Sequence, residues 1–360
     1  MSNKQVDRHI TFFQVGNGNS ALIWLGSDVY VLFDLNDTED YFPVLEYLKK
    51  ILPKKGKKPY LAAYCASHGD QDHIRGAARL LKDFLVGEIW YPNYDRFEME
   101  GEEQSDDYDA LYGEIERRRE AMANGSKEPG DLAYDLTAMD YVDSVHGSQV
   151  KDFGVKVLSP YCKDEGEENF DINDMSLVLN LELNGMRWLF AGDASAKSWL
   201  ERINTHLLAK EDYKDWAKAD VLMAAHHGSY TFFDMDRETA RDNPSNYVSL
   251  KKKIMPSRIL VSSNERFPMK DQEKQQPPHY AAYKSYKKYL VDAGLCSKDN
   301  DHPFLYTCDG SVRFELCDGK WTVKEGWEPT DDTDKGGGGT PKVAFTPVAG
   351  VGEHAPRKFA

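Results

Sequence analysis

Tyr60-Leu61-Ala62-Ala63-Tyr64-Cys65-Ala66-Ser67-His68-Gly69-Asp70-Gln71-Asp72-His73-Ile74 is the stretch on which the reading of this chain turns. Its first half is an apolar run that reads as a strand, Tyr60–Ser67. From Ile74 to Leu85 apolar residues recur at helical spacing. Strand, polar loop and helix in that order predict a unit of an α/β sheet. Alternate side chains of an extended backbone point the same way, so His68, Asp70 and Asp72 project to one side. His73 joins them as the helix starts. Four metal-competent side chains within six residues, at the end of a strand, suit a divalent cation. The plainer alternative is a polar loop capping the helix, with Asp72 as its N-cap.

Two further apolar strands end in polar residues of the same kind. Trp188-Leu189-Phe190-Ala191-Gly192-Asp193 delivers one carboxylate, which taken alone also suits a turn. Asp220–Met223 leads to Ala224-Ala225-His226-His227-Gly228-Ser229. Adjacent histidines on a strand face opposite ways, so one of the pair is expected to point into a given site unless the turn at Gly228 relaxes that. Active sites of α/β proteins gather at one sheet edge, so the three strand ends are read together.

The rest of the chain sets the frame. Its 360 residues include 7 Trp, 20 Tyr and 16 Phe, enough for a core, which excludes a chain disordered throughout. Strands are expected at His9–Val15, Ala21–Leu25, Val29–Asp34, Glu88–Tyr91, Val155–Leu158, Ser176–Leu183, Arg187–Ala191, Val221–Ala225, Arg258–Ser262, Phe304–Thr307 and Val312–Leu316. Helices are expected at Tyr41–Leu52, Ser198–Leu208 and Ala281–Ala293. No apolar run approaches the ~20 residues of a membrane helix, and Met1–His9 lacks an apolar signal core. The chain is therefore expected to be soluble and cytoplasmic, with no membrane partner. Its 5 cysteines are odd in number and form no C-x-x-C pair, which argues against a disulfide framework or a thiolate zinc site.

Net charge is −15, and residues 93–148 carry most of it, with 16 acidic against 5 basic side chains. This tyrosine-rich stretch, helical around Ala110–Ala123, is read as an acidic insertion on a domain spanning 1–330. Residues 331–360 are Gly-rich and read as a flexible tail. Either the insertion or the tail offers a surface for a protein partner. Lys49, Lys50, Lys54, Lys55, Lys57, Lys58 and Lys251–Lys253 could meet phosphates, although a solvated surface explains them as well.

With these residues in view, the chain resembles the metallo-β-lactamase-fold hydrolases, and among them the nuclease domain of the ComEC competence proteins and its stand-alone relatives. Phe13-Gln14-Val15-Gly16-Asn17-Gly18-Asn19-Ser20 is similar to the family's "VGQGDS" turn, and Ser67–His73 to its "SHPDADH" loop. Asn173-Asp174-Met175-Ser176-Leu177-Val178-Leu179 is similar to "NxxSLVL", and Ala191-Gly192-Asp193 to "TGD". Asp220-Val221-Leu222 with Ala225–Ser229 is similar to "DVLKVPHHGS". Ser262-Ser263-Asn264, then Pro278-His279, and Cys308–Val312 are similar to the late motifs. Asn19, Asn36 and Arg75-Gly76-Ala77 depart from the pattern without removing a ligand. No channel segment is present, so a role in DNA uptake does not carry over.

The resemblance implies an α/β fold, the four-layer αβ/βα sandwich with metals at one edge. It implies His68 and Asp70 on one metal, Asp72 and His73 on the other, Asp193 bridging and His226 as a further ligand. Asp72, His227 and His279 are the expected catalytic residues. Arg75, Ser229 and Asn264 are expected at the substrate, and Asp34 is expected to support the metal loop. Because Asp70 stands where the broader family has histidine, one or two ions of manganese, or zinc, are expected. The implied chemistry is cleavage of DNA or RNA phosphodiester bonds by a metal-activated hydroxide. A phosphodiesterase acting on a small or cyclic nucleotide is the alternative, favoured by the acidic segment. A non-catalytic binding module with a degenerate metal site is the third.

Overall fold

The computed structural model describes residues 6–92, 105–161, 172–271, 275–297, 303–329 and 343–344. Apart from Val343–Ala344, the expected Gly-rich tail lies outside them, as do residues 93–104 of the expected insertion. The chain divides into two compact units, each built on its own mixed sheet with helices, so the architecture is α/β.

Among the described residues the first unit holds 6–92, 105–136, 144–151, 309–329 and 343–344. Along its sheet the strands run Val343–Ala344, Lys320–Trp327, Ser311–Cys317, Arg8–Phe12, Ala21–Trp24, Tyr30–Phe33, Lys58–Cys65, Leu85–Pro92 and Leu132–Leu136. The pairs up to Tyr30–Phe33 are antiparallel hairpins or returns, and from there onward every pair is parallel. Parallel pairing sends Phe33 and Cys65 out at the same edge, in register with each other. Asp34 and the Ser67–His73 loop therefore emerge side by side. The helix Val44–Ile51 buries Val44, Leu45, Tyr47 and Leu48 into a core with Phe13, Leu22, Leu32, Leu61, Ile89 and Trp327.

Sequence periodicity predicts one helix over Ile74–Leu85. The structure has two pieces, Gln71–Ile74 and Ala77–Asp83, broken at Gly76. Gly76 takes φ +100°, a left-handed conformation that glycine adopts at little cost. Residues 35–36 bridge to residues 74–75 at the break, which fixes the loop against the sheet.

Residues 105–136 and 144–148 of the acidic segment belong to this unit, and residues 137–143 to the second. The segment's helix, Asp106–Ala123, starts at a Ser105 cap whose hydroxyl accepts the Tyr108 N–H. Leu111 and Ile115 are buried in the same core, and Leu132–Leu136 is an edge strand of the sheet. Arg118 is buried as well, donating to the Leu132 and Val86 carbonyls and to Glu114.

Among the described residues the second unit holds 137–143, 152–161, 172–271, 275–297 and 303–308. Its strand order is Phe304–Tyr306, Arg258–Val261, Val221–Met223, Met186–Phe190, Val178–Leu183, Phe153–Ser159 and Tyr141–Val142. The first four strands are mutually parallel, so Phe190, Met223 and Val261 all end at one edge. The helical run Ser198–Ala209 and the helix Tyr280–Asp292 pack on this sheet through Trp199, Ile203, Leu207, Tyr286 and Leu290. Among the described residues no helix is long and apolar enough to cross a membrane.

Two outcomes follow from this packing. Ile115→Ala should cost about 2–5 kcal/mol in denaturant unfolding, because it empties a core position; a surface helix would lose almost nothing. Glu88, buried beside Trp90, has its carboxyl pushed up to about 7 from 4.5, chiefly by burial. The Trp90 Nε1–H and the His146 N–H donate to it and partly oppose that rise. Between those two values the folded state holds a proton that the unfolded chain has lost, so stability falls as pH rises through this window. Glu88→Gln should flatten that dependence, matching the wild type near pH 4 and exceeding it by about 1–3 kcal/mol near pH 8.

Candidate metal centre

In the first unit the site is organised by one buried carboxylate. Asp34 accepts the Ser67 backbone N–H at 2.7 Å, the Ser67 hydroxyl at 2.8 Å and His73 Nδ1–H at 2.8 Å. Since the Ser67 hydroxyl donates to Asp34, its oxygen accepts His68 Nδ1–H at 3.0 Å. Both imidazoles are thereby held in the tautomer that offers Nε2 as the ligand atom. Their rings lie 4.0 Å apart between centroids. His68 and His73 are buried, whereas the Asp70 and Asp72 side chains are 37% and 33% exposed.

Asp70, not Asp72, takes the N-cap position of Gln71–Ile74, and its side chain makes no capping hydrogen bond. Instead Asp70 Oδ2 stands 3.6 Å from His68 Nε2, and Asp72 Oδ2 stands 3.9 Å from His73 Nε2. Those separations are too long for hydrogen bonds. Two ligands each about 2.1 Å from a shared tetrahedral ion would sit about 3.4 Å apart, close to what is observed. Burial, with Asp34 adding to it, pushes the Cys65 thiol and the Tyr64 phenol well above their ordinary ranges.

In the second unit Asp193 is 3% exposed, and its backbone N–H donates to the Ser176 hydroxyl at 3.1 Å. Asp174 accepts from the Ser195 and Ser198 hydroxyls at 2.5 and 2.7 Å, which ties the segment before Ser176 to the turn after Asp193. His226 and His227 both take positive φ, 48° and 54°. Left-handed backbone at two successive non-glycine residues costs of the order of 1–2 kcal/mol each. It also removes the strand alternation that would have sent the two rings to opposite faces. His226 Nε2 and His227 Nε2 lie 3.6 and 4.0 Å from the same Asp193 oxygen. His227 is 2% exposed, and its Nδ1–H donates to the Ser262 carbonyl at 3.0 Å, while His226 is 30% exposed.

The other expected residues take various places. His279 is buried; its Nδ1 accepts the Tyr230 N–H at 3.3 Å and its Nε2–H donates to the Gln275 carbonyl at 3.3 Å. With its own N–H bonded to the Gly228 carbonyl, it braces the 226–230 turn. Ser229 caps the short helix Tyr230–Phe232 through Thr231. Arg75 and Asn264 are exposed. Two residues that sequence reasoning gave no role belong to the frame. Asp107, from the acidic helix, accepts from Gln71 Nε2 and from the Ala78 N–H that opens the second helical piece. Asp174 lay inside a recognised motif, but nothing in the sequence told its role from that of its neighbours. The chain thus carries His and Asp groups able to hold a divalent cation.

No protein-family model matches the chain. Over 179 residues, 49% of this chain, it is 32% identical to ComE operon protein 3 of Bacillus subtilis (strain 168). The match spans 18% of that protein, under a fifth of its length. A solved structure from Parabacteroides distasonis ATCC 8503, provisionally described as a metal-dependent hydrolase, is similar over 81% of this chain and 96% of its own. The TM-score is 0.40 and the identity 14%.

Asp34→Asn keeps the shape but removes the charge that holds His73 and Ser67. It should weaken binding of manganese or zinc about 10–100-fold by calorimetric titration, with the fold retained by circular dichroism.

Proposed function

We propose that this chain is a metal-dependent phosphodiesterase of the metallo-β-lactamase type acting on DNA or RNA. In this reading each unit contributes its own histidine and carboxylate ligands. The observation that carries it is the pairing of each buried, Nδ1-anchored histidine with a carboxylate at ligand spacing: His68 with Asp70, His73 with Asp72, and His227 with Asp193. The end-to-end motif similarity to the ComEC nuclease domain, and the 32% identity to ComE operon protein 3, support the same reading.

Divalent cations bound there would acidify water and offset charge on a phosphoryl group. The chain's own residues then divide the work. His68 and His73 present Nε2 from rings that Asp34 and Ser67 keep from turning. Asp70 in place of an imidazole makes the donor set richer in oxygen, which favours manganese, with zinc also accommodated. His227, buried and fixed by the Ser262 carbonyl, is the better ligand of the adjacent pair. His226, nearly a third exposed on the same carboxylate, is placed to pass a proton to the leaving oxygen. This reverses the order that the motif implied. His279, with both ring nitrogens engaged by backbone, positions the turn that carries them.

One observation favours a small nucleotide as substrate instead. Asp106, Asp107 and Asp109 fill the first turn of the acidic helix, and Asp107 touches the ligand loop itself, so a long polyanion would meet negative charge there. Of the lysine stretch, Lys49 pairs with Glu46 and Asp83, and Lys58 donates to the Lys82 carbonyl. Lys55 lies over the Tyr60 ring. Lys54 and Lys57 are exposed and stand as the candidate phosphate contacts.

Metal analysis should find manganese or zinc in the wild type, and sharply less in both His73→Ala and Asp193→Ala. Unchanged metal content in a variant would remove that residue as a ligand. With single-stranded DNA, Lys54→Ala/Lys57→Ala should flatten the salt dependence of log affinity by about 1–2 units. It should leave hydrolysis of a small chromogenic phosphodiester unchanged. An unchanged slope would transfer the assignment to the small-nucleotide reading.

A further inference from the structure

Within the first unit a cavity of about 440 Å³ opens between residues 40–42 and the end of the strand Lys320–Trp327, lined by none of the candidate metal ligands. That volume lies in the range of small-molecule sites, ~300–1,000 Å³. Tyr41, Phe42 and Trp327 give it aromatic walls, Asp40 and Glu328 give it two carboxylates, and no Lys, Arg or His lines it. Aromatic faces carry negative potential and attract cations, and the two carboxylates add full charge of the same sign. An anionic ligand would be repelled.

The walls are held in place. Phe42 stacks on Phe13 at 4.8 Å, and Trp327 meets Tyr47 edge-on at 5.7 Å. The Tyr41 ring lies where a side chain at Gly16 would be, 2.4 Å from the Cβ such a residue would carry, so glycine at 16 is what seats it. Gln14 ties the two sides together: its N–H donates to the Ser311 hydroxyl at 3.1 Å, and its carbonyl accepts the Phe42 N–H at 3.0 Å. Trp327 already carries one cation, the Arg313 guanidinium at 4.7 Å over its ring, and that charge is paired by Glu315 at 3.1 Å. We propose that this cavity is a binding site for a small organic cation with an alkylammonium head, its carbon substituents against Tyr41, Phe42 and Trp327 and its charge toward Asp40 and Glu328.

The test is calorimetric titration of the full chain with choline and with spermidine, and with 3,3-dimethylbutanol as the neutral isostere of choline. Saturable binding of either amine, with the isostere at least tenfold weaker, is the expected result. Asp40→Asn/Glu328→Gln and Tyr41→Ala should each weaken the amine at least tenfold. Both change exposed side chains, so thermal melts should show the fold retained, and metal content should equal that of the wild type. Three results would overturn the proposal: no saturable amine binding up to the order of 10 mM, equal binding of the neutral isostere, or tight binding of adenosine that displaces the amine.

Discussion

The carboxylate of Asp34 is the constraint on which the Ser67–His73 loop depends. Fully buried, it would be costly to keep charged without partners, and it has three donors: a backbone N–H, a hydroxyl and an imidazole. The arrangement does two things at once. It satisfies a buried charge, and it fixes which nitrogen each of two histidines presents. The Ser67 hydroxyl is the relay, since donating to Asp34 obliges it to accept from His68. Few hydrogen bonds in the molecule carry as much geometric information.

Strand direction explains why such a constraint can work. In each unit the candidate residues leave the sheet from the ends of parallel strands, and parallel neighbours end at the same edge. Asp34 and Ser67 are 33 residues apart in sequence, yet they hydrogen-bond because the strands before them are hydrogen-bonded neighbours. In the second unit the same logic brings the turns after Phe190, Met223 and Val261 together, and the bond from His227 to the Ser262 carbonyl is its product.

The helix Asp106–Ala123 of the acidic segment contributes to the core of the first unit. A run of charge suggests a solvated appendage, and on the helix Asp106–Ala123 only Leu111, Ile115 and Arg118 are fully buried. Its Leu111 and Ile115 nonetheless supply core volume, and Asp107 supplies the cap for Ala77–Asp83. The helix therefore steadies the Ser67–His73 loop through Asp107 and adds negative charge beside it.

The sequence by itself determined the element types and the ligand candidates. Apolar runs of period two gave most strands of both sheets, and the placement of His68, Asp70, Asp72, His73, Asp193, His226 and His227 at strand ends is a local property that spacing reveals. Tertiary structure decided the rest. The break at Gly76 was hidden because apolar periodicity runs through it, and only the bridge from residues 35–36 shows why the helix must stop there. The strand Lys320–Trp327 was missed because its apolar alternation is short, Trp321 and Val323 before Lys324-Glu325-Gly326 interrupts it, and it forms by pairing with Ser311–Cys317. Which of two adjacent histidines is buried, and that both turn toward one carboxylate, rests on two left-handed residues braced by His279 and Ser262. Backbone strain of that kind leaves no trace in the one-dimensional pattern, because the contacts that hold it are made by residues 35 to 53 positions further along the chain.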